Sequence, residues 1–454
     1  MYDKNVILVG TKRICNQIAY VFNIKEYSIL ENITDIEEDE DATILICKKI
    51  KNKKKIKNNN VYSLKELYKY LDKEYKEKFA LNRNNVRNII RPTFTNKRII
   101  DKIPVELLKP SELLIKVINS KGYDISCNNL ENSCNIDYEG FIWGCCPTWI
   151  RIPFGNINKE NSYNNHIARI IKLSSLNKSY CLCDLSKCKF NNANIKENNI
   201  GTLKTDNYPK ELTIAIDKTC NLKCQSCRKS RYKATKEENQ KIEEIKDKLI
   251  NTGWLEKSDI IIAGQGEVFF SEHYKNILKT DIKRNKITIL SNGTLFNEKN
   301  WKLLENKYKE INVQISIDAA TEETYKKLRC GNFKSLIKNL EMLGNLRKEG
   351  KIQNLQFNFV VQKDNYKEMI KFIEMGKSFN ADKILFTKLN NWGTYSKKEY
   401  LEKCLIIDKK YLNDDLYKTM QNPIFKERKV DLTTFENYIS ASKKIYGGKK
   451  WIKL

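Results

Sequence analysis

Leu212-Thr213-Ile214-Ala215-Ile216, followed three residues later by Cys220-Asn221-Leu222-Lys223-Cys224-Gln225-Ser226-Cys227, is the stretch on which the fold turns. The first five residues alternate and are rich in β-branched side chains, which reads as a strand. The eight that follow place three thiols on one loop in a CxxxCxxC spacing. Three thiolates can hold three irons of a [4Fe–4S] cube and leave the fourth iron without a protein ligand. That open iron is then free to chelate a substrate or cofactor and pass an electron into it. A closed structural zinc site needs four ligands, and no fourth cysteine or histidine lies nearby.

Working outward, strand-like runs recur at Ile260–Ala263, Ile287–Leu290, Val313–Ile317, Leu355–Val361 and Lys383–Phe386, with charged amphipathic stretches of helical length between them. Six βα repeats predict an α/β fold whose parallel sheet curls into a partial (β/α)6 TIM-like barrel over 205–395, with its chemistry at the C-terminal strand ends. A tail over 396–454 reads as mainly helical. Upstream, Asn5–Val9, Glu26–Leu30 and Ala42–Cys47 read as strands of a small Rossmann-like α/β unit, joined to a helical, basic connector over 60–105, so that the unit and connector fill 1–105. The single Gly10 after the first strand is not a phosphate-binding loop. Residues 110–200 break into short pieces punctuated by cysteine, glycine and asparagine, a segment organised by metal more than by a large apolar core.

The chain of 454 residues carries a net charge of +27, and its 17 glycines and 7 prolines are few beside its lysines. A basic excess of this size raises nucleic acid as a partner. Lysine runs such as 48–55 read instead as solvated surface, so nucleic acid is not the expected partner. No apolar run approaches the ~18 residues of a membrane span. The first residues lack a signal peptide's apolar stretch, which predicts a cytoplasmic protein without membrane insertion. Ten of the 14 cysteines fall between 127 and 227, whereas a secreted disulfide scaffold is short and dense throughout. With His166 and His273 as the only histidines, histidine-based acid–base catalysis is scarcely available. No nucleophile elbow or Walker loop is present.

On these residues the chain resembles the radical SAM enzymes. The resemblance extends to Gly264-Gln265-Gly266-Glu267 after the second barrel strand, Ser291-Asn292-Gly293-Thr294 after the third, Ser316-Ile317-Asp318-Ala319-Ala320-Thr321 with Tyr325 and Arg329 around the fourth, and Val360-Val361-Gln362 at the fifth. It implies that Cys220, Cys224 and Cys227 hold a [4Fe–4S] cluster whose open iron binds S-adenosylmethionine, and that reductive cleavage yields a 5′-deoxyadenosyl radical. Gly264, Gln265, Gly266, Glu267, Asn292, Ser316, Asp318, Arg329 and Val361 would then contact the cofactor. In this picture Arg329 pairs with its carboxylate, in a fork geometry that lysine would not reproduce. Two departures stand out: Ser226 occupies a position commonly aromatic in the family, and Gly-Gln-Gly-Glu replaces Gly-Gly-Glu-Pro.

A second set, Cys134-x5-Gly140-x4-Cys145, Phe154-Gly155-Asn156-Ile157 and Tyr180-Cys181-Leu182-Cys183-x4-Cys188, resembles the SPASM or twitch auxiliary-cluster modules, which usually follow the barrel and here precede it. That resemblance implies a second [4Fe–4S] cluster on Cys134, Cys145, Cys183 and Cys188, with Cys146 and Cys181 as substitutes and a zinc ribbon as the alternative. It favours a peptide or protein side chain as substrate and a reductase, flavodoxin or ferredoxin as electron donor. A sugar or nucleotide-sugar is the alternative substrate. A zinc-holding nucleic-acid module and a peptide-binding scaffold are the non-enzymatic rivals.

Overall fold

The structure, a computed structural model, describes four strands within residues 1–63, most of 129–168, and residues 208–446 apart from 265, 281–283 and 409. The chain divides into two compact units, one of residues 1–135 and 141–209, the other of 136–140 and 210–454.

In the first unit, β1 (Val6–Val9), β2 (Ser28–Leu30), β3 (Thr43–Ile46) and β4 (Val61–Ser63) form a parallel sheet in the order β2-β1-β3-β4. The three expected strands are present. The fourth falls where a helical connector was expected, and the resulting order is that of a flavodoxin-like sheet. Further along, β5 (Ser133–Asp137) leads into β6 (Phe141–Trp143), which pairs antiparallel with β7 (Gly155–Asn156). A side chain at Gly144 would strike the Phe154 ring at 2.1 Å, so this short hairpin closes only around glycine.

The second unit carries β8 (Glu211–Ala215), β9 (Asp259–Ile262), β10 (Arg284–Ser291), β11 (Tyr308–Ser316), β12 (Asn354–Val361) and β13 (Lys383–Lys388). From β9 on, each pairs in parallel with the strand before it. The register puts Ile260 beside Ile287 and Ile262 beside Ile289, so alternate residues align across the sheet and are fully buried. Helices α1 (Lys236–Asn251), α2 (Glu272–Lys279), α3 (Glu322–Arg329), α4 (Phe333–Lys348) and α5 (Met369–Ser378) supply the crossovers. Each starts where local chemistry permits. A Thr235/Glu238 capping box opens α1, and the Asn332 side chain accepts from Ser335 N at the start of α4.

Two elements differ from the sequence reading. Between β10 and β11 there is only one α-helical turn, Glu298–Trp301, opened by the Asn297 cap; the chain then runs through tighter turns to Asn306, which takes a left-handed backbone (φ +64°). The tail is mixed. After α6 (Lys397–Lys403) come the antiparallel pair β14 (Ile406–Ile407) and β15 (Tyr411–Leu412), then β16 (Val430–Asp431), which adds in parallel to β13. Aromatic rings fill the far side of the sheet, with Phe359 4.8 Å from Phe372 and 5.4 Å from Phe386. Among the described residues no helix is long and apolar enough to cross a membrane.

Gly344 on α4 shows which effect governs here. A Cβ there would sit 2.6 Å from the Phe379 carbonyl oxygen. Alanine offers about 1 kcal/mol of helix propensity, but overpacking against rigid backbone costs about 1–3 kcal/mol. Gly344→Ala is therefore expected to lower stability, read as a fall in the urea midpoint; a rise would show that the backbone yields freely.

Candidate functional site

Because β8 to β12 run parallel, the loops after them emerge at one edge of the sheet, and every described site residue expected in this unit lies there. The segment between β8 and the cysteines is immobilised first. Asp217, only 1% exposed, accepts from Thr219 N (2.8 Å) and from Ser271 Oγ (2.6 Å) at the start of α2, while Tyr274 Oη accepts from Asp217 N (3.0 Å). Gly266 packs on this same backbone: a Cβ there would lie 2.3 Å from the Asp217 oxygen and 2.9 Å from the Thr219 oxygen. Gly264, at φ +134°, lies as closely on Ala215. The glycines thus admit the chain's own backbone, the reason this loop is glycine-rich.

Glu267 is buried, and burial pushes its carboxyl above the usual range, against the hydrogen bonds it accepts. Ser291 Oγ donates to Oε1 (2.7 Å) and Asn292 N to Oε2 (2.7 Å), so Glu267 ties the loop after β9 to the loop after β10. Asn292 passes the constraint on. Its Nδ2 donates to Asn221 Oδ1 (2.9 Å), Asn221 Nδ2 donates to Thr294 Oγ1 (2.9 Å), and Thr294 Oγ1 returns to Asn292 Oδ1 (2.6 Å). This closed ring holds Asn221 beside Cys220.

The far half of the cysteine loop sits on the end of α3. Helix C-termini leave carbonyls without intrahelical partners. Here Gln225 N donates to the Leu328 carbonyl (2.9 Å), Gln225 Nε2 to that of Lys327 (3.0 Å), and the Cys224 thiol to that of Arg329 (3.8 Å). Cys220 and Cys224 are buried and Cys227 is exposed. Arg228 Nη2 lies 3.5 Å from Cys227 Sγ.

Arg329 reaches back under this loop. Its Nη1 is 3.2 Å from Asp318 Oδ2, with side chains 11% and 4% exposed, and its Nη2 donates to the Ser316 carbonyl. Burial works against the guanidinium charge, but Cys224, Asp318 and Tyr325 together hold it protonated above its ordinary value. Asp318 adopts a left-handed backbone (φ +63°) at the end of β11, and its Oδ1 also accepts from Val360 N (2.7 Å). The Arg329–Asp318 ion pair is therefore a buried one. Val361 is buried at the end of β12. Two polar atoms here have no partner although they are buried: Arg329 Nε and the Tyr325 hydroxyl.

Of the auxiliary set, Cys134 is buried on β5, and Cys145 and Cys146 follow β6, half-buried. Cys181, Cys183 and Cys188 lie outside the described residues, as does Gln265. Among the described residues no three His, Cys, Asp or Glu side chains are gathered closely enough to hold a single metal ion. The donor set does suit a cluster: three thiols on one rigid loop, with the Arg228 and Arg329 guanidiniums beside them.

The same edge carries residues that no motif announced. Lys403 Nζ, from α6, reaches Gln225 Oε1 (3.3 Å) and Asp364 Oδ2 (2.7 Å), and Asp364 also pairs with Lys327 (2.9 Å).

Residues 215–376 match the family model of the Radical SAM superfamily. Over this segment the chain resembles that superfamily. A stretch of 155 residues is 30% identical to the antilisterial bacteriocin subtilosin biosynthesis protein AlbA of Bacillus subtilis (strain 168), covering 32% of this chain and 33% of that protein. The chain thus spans about a third of the length of this curated relative. Among solved structures, Streptococcus suis SuiB bound to S-adenosylmethionine is 17% identical with a TM-score of 0.36, over 64% of this chain and 70% of that one. The structure of anSMEcpe with AdoMet and the Kp18Cys peptide is 18% identical with a TM-score of 0.34, over 48% of this chain and 59% of that one. The matched segment ends within α5, so α6 and its lysine clasp lie beyond it.

Two outcomes are expected. Asp318→Asn leaves Arg329 buried and unpaired, which costs about 3–5 kcal/mol, measured by chemical denaturation of the metal-free protein. Burial, countered by Arg329, pushes the Cys224 thiol up to about 11, so at neutral pH it holds its proton until metal displaces it. Iron uptake during anaerobic reconstitution is accordingly expected to quicken as pH rises from about 7 to about 9; uptake that slows over this range contradicts the assignment.

Proposed function

We propose that this chain is a radical SAM enzyme that modifies a peptide or protein side chain. The observation that carries this reading is the CxxxCxxC loop at the end of β8, docked on α3 over a protonated Arg329, inside the segment matched as a radical SAM domain. A [4Fe–4S] cluster bound there would deliver one electron to the sulfonium of S-adenosylmethionine, releasing methionine and a 5′-deoxyadenosyl radical that takes a hydrogen atom from the substrate. Cys220, Cys224 and Cys227 would hold the cluster. The Arg329 guanidinium, preorganised by Asp318 and the Ser316 carbonyl, has an unspent Nε–H with which to receive the cofactor's carboxylate. Gly264, Gly266, Glu267 and Asn292 act on the cofactor through the loop they shape. Val361 offers an apolar surface to the adenine. The parallel order of β8 to β13 supports a partial barrel around this edge.

Likeness to a bacteriocin biosynthesis protein supports the peptide as substrate class. A second cluster on Cys134, Cys145, Cys183 and Cys188, in a SPASM- or twitch-like segment over 110–200, and a flavodoxin or ferredoxin donor in the cytoplasm, complete the proposal. The hairpin β6–β7, with Gly140 at φ +80° before it, supports such a segment.

The test is anaerobic reconstitution, iron counting and incubation with S-adenosylmethionine and a reductant. About eight irons per chain and release of 5′-deoxyadenosine are expected. The Cys220→Ala, Cys224→Ala, Cys227→Ala triple variant should keep about half of the iron and lose all cleavage. Zinc in place of iron, with no cleavage by the wild type, overturns the reading.

A further inference from the structure

The segment after β13 folds back over the cysteine loop and brings an aromatic hydroxyl with it. Asn391 shapes this turn: its Oδ1 accepts from Gly393 N (3.0 Å) and Tyr395 N (3.3 Å), and its Nδ2 donates to the Tyr395 carbonyl (2.8 Å). Gly393, at φ +90°, permits the reversal. The turn is then fastened to the triad. Thr394 Oγ1 donates to the carbonyl of Ser226 (3.4 Å), and Lys403, whose Nζ lies 5.7 Å from the Tyr395 ring centroid, donates to Gln225. A capping box between Ser396 and Glu399 starts α6 at once, so Tyr395 sits between two fixed points.

The hydroxyl of Tyr395 is buried and has no partner. A buried phenol normally finds one, since leaving it unmade costs more than the bond returns. After burial itself, the charges of Asp364 and Glu399 push it up to about 12. Asp318 and Cys224 are the groups that flank Arg329, whose Nε is also buried without a partner, as is the Tyr325 hydroxyl. Tyr325 and Arg329 belong to α3, on which the cysteine loop rests, and Tyr395 to the turn fastened to Ser226, so three buried polar atoms without partners lie on the two segments that hold this loop. Polar atoms left unpaired on both supports of one loop suit a polar ligand.

We propose that Tyr395 is a cofactor-contacting residue whose hydroxyl hydrogen-bonds bound S-adenosylmethionine, at a carboxylate or ribose oxygen. This rests on the radical SAM reading above and extends the site past residue 376, to a segment outside the matched domain. It also gives the lysine clasp a purpose, because Lys403 and Thr394 hold the turn that presents Tyr395.

The experiment compares the full-length, anaerobically reconstituted wild type with Tyr395→Phe. Iron content and the electron paramagnetic resonance spectrum of the reduced protein without S-adenosylmethionine are expected to be the same in both. The variant is expected to bind S-adenosylmethionine about tenfold more weakly by equilibrium dialysis, in line with the loss of one hydrogen bond. In the metal-free state the melting temperature of Tyr395→Phe should be unchanged or higher, since the removed hydroxyl has no partner in the protein. Equal cofactor affinity in the two proteins overturns this proposal alone. So does a fall in the metal-free melting temperature, which would assign the hydroxyl a structural role. Iron-loaded wild type that binds no S-adenosylmethionine overturns the functional reading itself, and this inference with it.

Discussion

A guanidinium kept almost out of water by one carboxylate organises this protein's working edge. Arg329 is tolerable there only because Asp318 stands 3.2 Å away and the Ser316 carbonyl takes a second hydrogen bond. Asp318, in turn, reaches its place through a left-handed backbone that a β-branched residue would resist. The pair joins the end of β11 to the end of α3, and α3 offers the carbonyls on which the cysteine loop rests. Losing the pair would release the helix, the loop and the thiols together. Charge and position are coupled in one contact.

The rest of the edge repeats this logic with neutral groups. Glu267 gathers the β9 and β10 loops, Asn292 relays that order to Asn221, and Asp217 pins the approach to Cys220 on the start of α2. Little of this polar chemistry is left over, which is what gives the exceptions meaning. On the two segments that hold the cysteine loop, the buried Arg329 Nε, Tyr325 hydroxyl and Tyr395 hydroxyl stay unspent. A site that satisfies its scaffold and leaves its centre unsatisfied is preorganised for a polar guest, because no internal bond must break when the guest arrives.

Much of the fold was legible in the chain because its signals are local. Six short apolar runs at helical separation predicted six parallel strands, and all six are present within a few residues of their expected limits. The misses are equally physical. Between β10 and β11 a stretch of helical length makes one α-helical turn and then tighter turns that end at a left-handed Asn306. The fourth strand of the first sheet is a three-residue run beside a lysine-rich stretch, where pairing with β3 decides and local propensity does not. The tail's β16 exists because β13 leaves an open edge, a fact that lies outside the tail's own sequence.

The sequence by itself determined that three thiols share one loop at the end of a strand, and that this loop belongs to a repeating βα frame, because spacing and periodicity are properties of neighbours in the chain. Tertiary structure alone decided what surrounds those thiols. It showed that Gly264 and Gly266 receive backbone, that Glu267 braces two loops, and that the Arg329–Asp318 pair is buried. It also brought Tyr395 and Lys403, 175 and 183 residues beyond Cys220, back to the cysteine loop. Hydrogen bonds and burial depend on distance through space, and separation along the chain carries no record of it.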